Sequence, residues 1–113
     1  WYVKGNAEVL TAWIPLQDTT YINGCLAVMP KSHALGPVEH DTTVLKKKQI
    51  PSKHLGGEIR LVEMNKGDVL FFHACLLHTG NINLSDSVRY SVQARFTPLG
   101  LPTDPGMGKV HTL

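Results

Sequence analysis

The sequence predicts an all-β fold, on three observations. The run Arg89 to Phe96 alternates strictly, with Tyr90, Val92, Ala94 and Phe96 on one face and Arg89, Ser91, Gln93 and Arg95 on the other, which is the period of a strand. Short β-favouring apolar runs recur between turn residues, the clearest being Val69 to Phe72, launched by Lys66-Gly67-Asp68. Asn23-Gly24 is a hairpin signal, because both residues tolerate the positive φ that a tight type I′ turn demands.

In chain order, strands are expected over residues 9–16, 24–30, 58–64, 68–73 and 89–96, with a short one near 76–79. In the first, Leu10, Ala12, Ile14 and Leu16 share one face, and Thr11 and Trp13 share the other. Pro15 cannot donate to a ladder, so this strand lies at an edge or bulges there. The Asn23-Gly24 turn follows it. Residues 31–57 then form a long loop containing Gly36, Pro37, Pro51, Gly56 and Gly57, of a length that usually carries function or is disordered. Residues 98–113, with three prolines and three glycines, read as an irregular tail, leaving one domain over 1–97. These strands are fewer than the roughly eight of a closed two-sheet barrel, so open sheet edges are expected, through which copies of the chain can pair into a homo-oligomer.

With 42% hydrophobic and 18% charged residues, the chain has the composition of a soluble globular domain. A net charge of +2 is too small to argue for nucleic acid, and no apolar run approaches the length of a membrane span. Lys46-Lys47-Lys48, with Lys53 nearby, lacks interleaved aromatics and reads as a solvated loop. Cys25 and Cys75 lie in or beside apolar strand segments and read as free core thiols. That fits a reducing, cytoplasmic compartment, and no signal peptide opens the chain.

The chemistry-bearing candidates lie between His73 and Arg95. The polar face of the last strand either meets solvent or lines a small barrel around a ligand, where the planar fork of Arg89 grips a carboxylate through two parallel hydrogen bonds. His73 sits in an apolar run and reads as a neutral imidazole satisfied by a backbone partner. His33, His40 and His54, spaced by seven and fourteen, match no compact chelating pattern. His33 is read as fixing the turn at Pro30-Lys31-Ser32. On a strand, the adjacent His40 and Asp41 would face opposite ways.

Three segments in this order and spacing resemble the phytanoyl-CoA dioxygenase family. They are Leu10-Thr11-Ala12-Trp13-Ile14-Pro15-Leu16, then Asn23-Gly24-Cys25-Leu26-Ala27-Val28-Met29-Pro30-Lys31-Ser32-His33, then Gly67-Asp68-Val69-Leu70-Phe71-Phe72-His73 with His78 and Arg89. The likeness runs from residue 9 to residue 96. It implies a double-stranded β-helix, a jelly-roll barrel of the cupin-like kind, here incomplete at its N-terminal side. It also implies a small-molecule or acyl-CoA substrate hydroxylated at an aliphatic carbon with non-haem Fe(II), 2-oxoglutarate and O2. By the same resemblance, His78 matches the distal iron ligand, Arg89 the arginine that takes the far carboxylate of 2-oxoglutarate, and Trp13 a tryptophan lining the cosubstrate pocket. Ser91 and Gln93, on the face of Arg89, are neighbours of that pocket, and the long loop is expected to cover the substrate. The lysine cluster becomes a candidate contact for the phosphates of an acyl-CoA tail.

The family's first two ligands form a His-X-Asp motif, and no histidine of this chain is followed two positions later by aspartate. By the family's spacing the motif is expected a few residues ahead of Trp1, making this chain the C-terminal part of an enzyme and inert alone. A facial set of two imidazoles and one carboxylate leaves three cis positions for the keto acid and O2, and one imidazole cannot reproduce it. Two other readings stand beside the hydroxylase. One is a halogenase of the same fold, in which a small residue replaces the carboxylate ligand. The other is a non-catalytic β-sandwich binding module, with His78 and Arg89 lining a polar groove.

Overall fold

Six short strands carry the chain in the computed structural model, which describes residues 8–38 and 50–100. They are β1 (Leu10–Pro15), β2 (Leu26–Val28), β3 (Arg60–Val62), β4 (Leu70–His73), β5 (His78–Gly80) and β6 (Ser91–Phe96). Five of the six fall inside the segments anticipated from alternation and turn residues, shorter by up to two residues at an end, and β5 begins two residues later than anticipated and ends one residue later. They form two antiparallel three-stranded sheets, ordered β4-β1-β6 and β3-β2-β5. The described residues are thus all-β, with single 3₁₀ turns at Ser32–Leu35 and Ser52–His54 in the long loop.

The sheets face one another across Trp13, Leu26 and Phe72, with Val28, Met64, Leu70 and Leu76 packed around them. Truncating an aromatic ring in such a core costs about 3–5 kcal/mol, so Trp13 and Phe72 do much to hold the layers in place. Register sets which strand faces look inward. Trp13 pairs with Gln93 and with Leu70, and Thr11 with Arg95 and with Phe72. Paired residues of antiparallel strands point to the same side. The polar face of β6 therefore lies on the side of the buried Trp13 and Thr11, with Arg89 and Arg95 half-buried and Ser91 and Gln93 exposed. Leu10, Phe71, Val92 and Phe96 occupy the opposite, exposed face.

Pro15 is accommodated by where the ladders end. It pairs with Ser91 on one side, whereas pairing with β4 stops at Trp13 opposite Leu70, so no second neighbour calls for the missing N–H.

The Asn23-Gly24 hairpin does not form. β1 and β2 belong to different sheets, and the intervening segment crosses between them. Gly24 takes the positive φ of 86°, but among the described non-glycine residues only Lys31 does so, and a type I′ turn needs both central residues there. Asn23 instead works through its side chain: Oδ1 accepts from the Thr20 N–H and Nδ2 donates to the Asp18 carbonyl, each at 2.8 Å. The same segment is stitched to the turn after β3 by the Thr19–Met64 bridge and by Asp18 Oδ1, which accepts from the Lys66 N–H at 2.7 Å.

Cys25 is fully buried as a free thiol, while Cys75, in the turn between β4 and β5, is only half-buried and is not a core residue. At the turn Pro30-Lys31-Ser32 the buried Ser32 Oγ accepts from the Leu77 N–H at 2.8 Å, and the carbonyl of His33 accepts from the Gly36 N–H at 3.0 Å. No helix among the described residues is long and apolar enough to cross a membrane. His40, Asp41, the Lys46–Lys48 cluster and residues 101–113 lie outside the described residues.

Candidate functional site

His78 opens β5 opposite Val28 of β2, close to the inter-sheet core. Its ring packs against Phe72, with centroids 4.7 Å apart. Nδ1 lies 2.8 Å from the Leu76 carbonyl oxygen, an atom that can only accept, so Nδ1 carries the proton. Nε2 is then the lone-pair nitrogen on an exposed ring, the tautomer and orientation in which a backbone carbonyl prepares an imidazole to ligate a metal.

His73, five residues earlier, is arranged the opposite way. Its Nδ1 accepts from the Cys75 N–H at 3.1 Å, which satisfies it as the sequence reading anticipated. Its ring lies 5.7 Å from that of His33 on the outer side of β4. Among the described residues, no three His, Cys, Asp or Glu side chains group to hold a metal ion.

Arg89 precedes β6 and lies over the indole of Trp13, its guanidinium carbon 5.3 Å from the ring centroid. Trp13 is 2% exposed and so offers a fixed, dry platform for the cation. Nη1 of Arg89 donates to Ser91 Oγ at 3.2 Å. On β5, a Cβ added to Gly80 would stand 3.6 Å from Nη2, an ordinary van der Waals contact, which places the guanidinium beside the strand at this position. Among the described residues no carboxylate forms a salt bridge with Arg89, the only such bridge joining Arg60 to Glu58. A half-buried guanidinium stacked on an aromatic ring, with no carboxylate partner among the described residues, is suited to an incoming carboxylate.

His78, Arg89, Trp13 and Ser91 are thus brought together around Phe72 and Gly80. Gln93 is a neighbour by register, but its recorded side-chain bond runs to Arg95, whose Nη2 donates to Gln93 Oε1 at 3.3 Å, and not to Arg89. Phe72 and Gly80 were missed from sequence. The signal for Phe72 was its period-two relation to Leu70. For Gly80 it was a glycine inside a strand, which marks close approach of another group.

Cys25 sits behind this arrangement. Burial foremost, and then the Glu63 carboxylate, push its thiol above the ordinary range, against a smaller opposing pull that includes Arg89. A thiol held protonated does not compete for a metal.

On the other side of His78 a cleft of about 380 Å³ opens at the end of the β2–β5 pair. Val28, Leu77 and His78 line it from the sheet, and Ile50, Leu55 and Ile59 from the segment ahead of β3. His78 therefore stands between an apolar cleft and a cationic, aromatic recess. Gly80, which marks the recess, is two residues along β5, about 7 Å away at the rise of a strand.

Comparison with known proteins gives a concordant result. A family model described as Phytanoyl-CoA dioxygenase (PhyH) matches residues 1–91. The chain is 35% identical over 108 residues to the 1-deoxypentalenic acid 11-beta-hydroxylase of Streptomyces exfoliatus, a match covering 86% of this chain and 38% of that protein. Among solved structures, the non-heme alpha ketoglutarate dependent carbocyclase SnoK from nogalamycin biosynthesis is similar with a TM-score of 0.67 and 28% identity, over 82% of this chain and 38% of that one. The epimerase SnoN, solved in complex with Fe3+, alpha ketoglutarate and nogalamycin RO, shares the fold at a TM-score of 0.67 and 24% identity, over 96% of this chain and 46% of that one. The chain spans less than half the length of each of these proteins.

Proposed function

Because this chain belongs to the phytanoyl-CoA dioxygenase family, we propose that it supplies the distal ligand and the cosubstrate anchor of a non-haem Fe(II)/2-oxoglutarate-dependent dioxygenase built on a jelly-roll barrel. When bound, iron with 2-oxoglutarate and O2 would supply the oxidising power, with one oxygen atom going into a substrate C–H bond and the other into succinate as CO2 is lost.

The chain's own part is binding and orientation. His78 offers Nε2 to the metal, with Nδ1–H tied to the Leu76 carbonyl so that the ring cannot turn away. Arg89 takes the far carboxylate of 2-oxoglutarate, its guanidinium held over Trp13 and braced by Ser91. Trp13 and Phe72 make the wall between the two positions and exclude water from it. The observation that supports the reading is the separation of these groups along β5: an imidazole nitrogen at position 78 and, against position 80, a guanidinium with no carboxylate partner among the described residues, commensurate with a small dicarboxylate lying between them. The family's other two ligands form a His-X-Asp motif that this sequence does not contain, which is why the isolated chain is expected to be inert. The named relatives and neighbours include a hydroxylase, a carbocyclase and an epimerase. Hydroxylation of an aliphatic carbon, in a small molecule or an acyl-CoA, is the outcome we assign to this chain.

The test is calorimetry of 2-oxoglutarate binding in the presence of Fe(II). Arg89→Ala is expected to weaken it by about 2–5 kcal/mol, the cost of removing one partner of a buried charge pair. Equal affinity in the variant would remove Arg89 from the cosubstrate role.

A further inference from the structure

The cleft beside His78 carries no formal charge on its described walls. Of its lining residues only His78 and Thr79 are polar. Three apolar side chains, Ile50, Leu55 and Ile59, come from a stretch otherwise rich in polar and turn residues, and two of them are left substantially exposed, Leu55 at 47% and Ile59 at 62%. Exposing large aliphatic side chains around one concavity has a cost in water, and an apolar ligand filling the concavity recovers it. The segment is seated on the sheet: a Cβ added to Gly57 would stand 2.9 Å from Met29 Sδ, and Ile50 packs on the Met29, Val38 and Leu77 cluster. About 380 Å³ lies within the range of small-molecule sites.

We infer that Leu55 and Ile59, with Ile50, are specificity-determining residues that seat the hydrocarbon portion of the substrate against His78, and that they reject charged or zwitterionic small molecules. This rests on the oxygenase reading, because His78 is what places the cleft beside the reacting centre. A charged group brought among these walls loses its hydration and finds no counter-charge, whereas an alkyl or alicyclic skeleton loses nothing by entering. Selectivity of this kind needs no closing lid and is set by wall volume and polarity alone.

The experiment is calorimetric titration of the intact protein that carries this chain with decanol and, separately, with glycine betaine, for wild type, Leu55→Glu and Ile59→Glu. Both positions are well exposed, and thermal melts report whether the variants keep the fold. Decanol is expected to bind wild type and to bind each variant about tenfold or more weakly, with glycine betaine failing to bind. Leu55→Phe, which narrows the cleft without adding charge, is expected to shift preference from decanol toward hexanol. Equal decanol affinity in the charged variants, tighter binding of glycine betaine than of decanol, or an unchanged chain-length preference in Leu55→Phe would each overturn the assignment. Titration of 2-oxoglutarate in the same samples separates the two readings. If 2-oxoglutarate binds and decanol discrimination is absent, the specificity assignment fails alone. If wild type does not bind 2-oxoglutarate, the oxygenase reading fails, and with it the placing of this cleft beside a reacting centre.

Discussion

The thiol of Cys25 shows how one side chain is tuned by its position between the sheets. Burial, with the Glu63 charge behind it, raises its pKa above the ordinary value of 9.0, and burial with Glu8 does the same for Cys75. The sign of the linkage follows. Above the ordinary value the unfolded chain has lost these protons while the folded chain still holds them, so the folded state binds more protons and stability falls as pH rises. Below the ordinary value the contribution is fully present. The melting temperature is expected to decline as pH rises above about 9, and Cys25→Ala to flatten that decline. A slope identical in the variant would show that Cys25 does not contribute. Residues were also where sequence reading was most uneven. His73 was legible because an imidazole in an apolar run must find a local partner, and the Cys75 N–H is two residues away. The role of Ser32 was not, since its Oγ accepts from the Leu77 N–H, a partner 45 residues distant that no local pattern announces.

Among the elements, the segment between β1 and β2 is the one where local chemistry misled. Asn23-Gly24 has the composition of a hairpin, yet its neighbours in space are Asn81 and Asn83 beyond β5, so the turn was decided by non-local packing. Gly24 is fixed there twice over, by φ of 86° and by the Asn81 carbonyl oxygen, which an added Cβ would approach to 2.9 Å. Gly24→Ala is therefore expected to destabilise the fold by about 1–3 kcal/mol, measured by denaturant unfolding. A loss indistinguishable from zero would mean that the connection is not held as described. The strands themselves were legible, because period-two alternation and flanking turn residues are local properties. Their partners were not: β1 pairs with β6 from Leu10 opposite Phe96, a closure that strand-forming residues permit but do not specify. That the polar face of β6 shares the side of Trp13 became clear only once Gln93 was seen opposite it.

At the scale of the whole molecule, two sheets place one imidazole and one guanidinium on a shared wall and leave an apolar cleft beyond. The family was legible from residue order, since Trp13, His78 and Arg89 with their flanking runs recur as a set. The cleft was not, because Ile50, Leu55 and Ile59 share a concavity only once residues 50–59 are seen against β2 and β5. The outer face of the β4-β1-β6 sheet exposes Leu10, Phe71, Val92 and Phe96, and its edge strands have no further partner among the described residues. The central claim is that His78 ligates the metal through Nε2. It is tested most directly by anaerobic equilibrium dialysis of Fe(II) against the intact protein that carries this chain and its His78→Ala variant, with a thermal melt of each. The account predicts that His78→Ala keeps its melting temperature while losing iron affinity by more than the roughly 10–100-fold that removal of a ligand's supporting hydrogen-bond partner costs. A His78→Ala protein that holds Fe(II) as tightly as wild type would contradict it and leave His78 as the lining of a polar groove in a binding module.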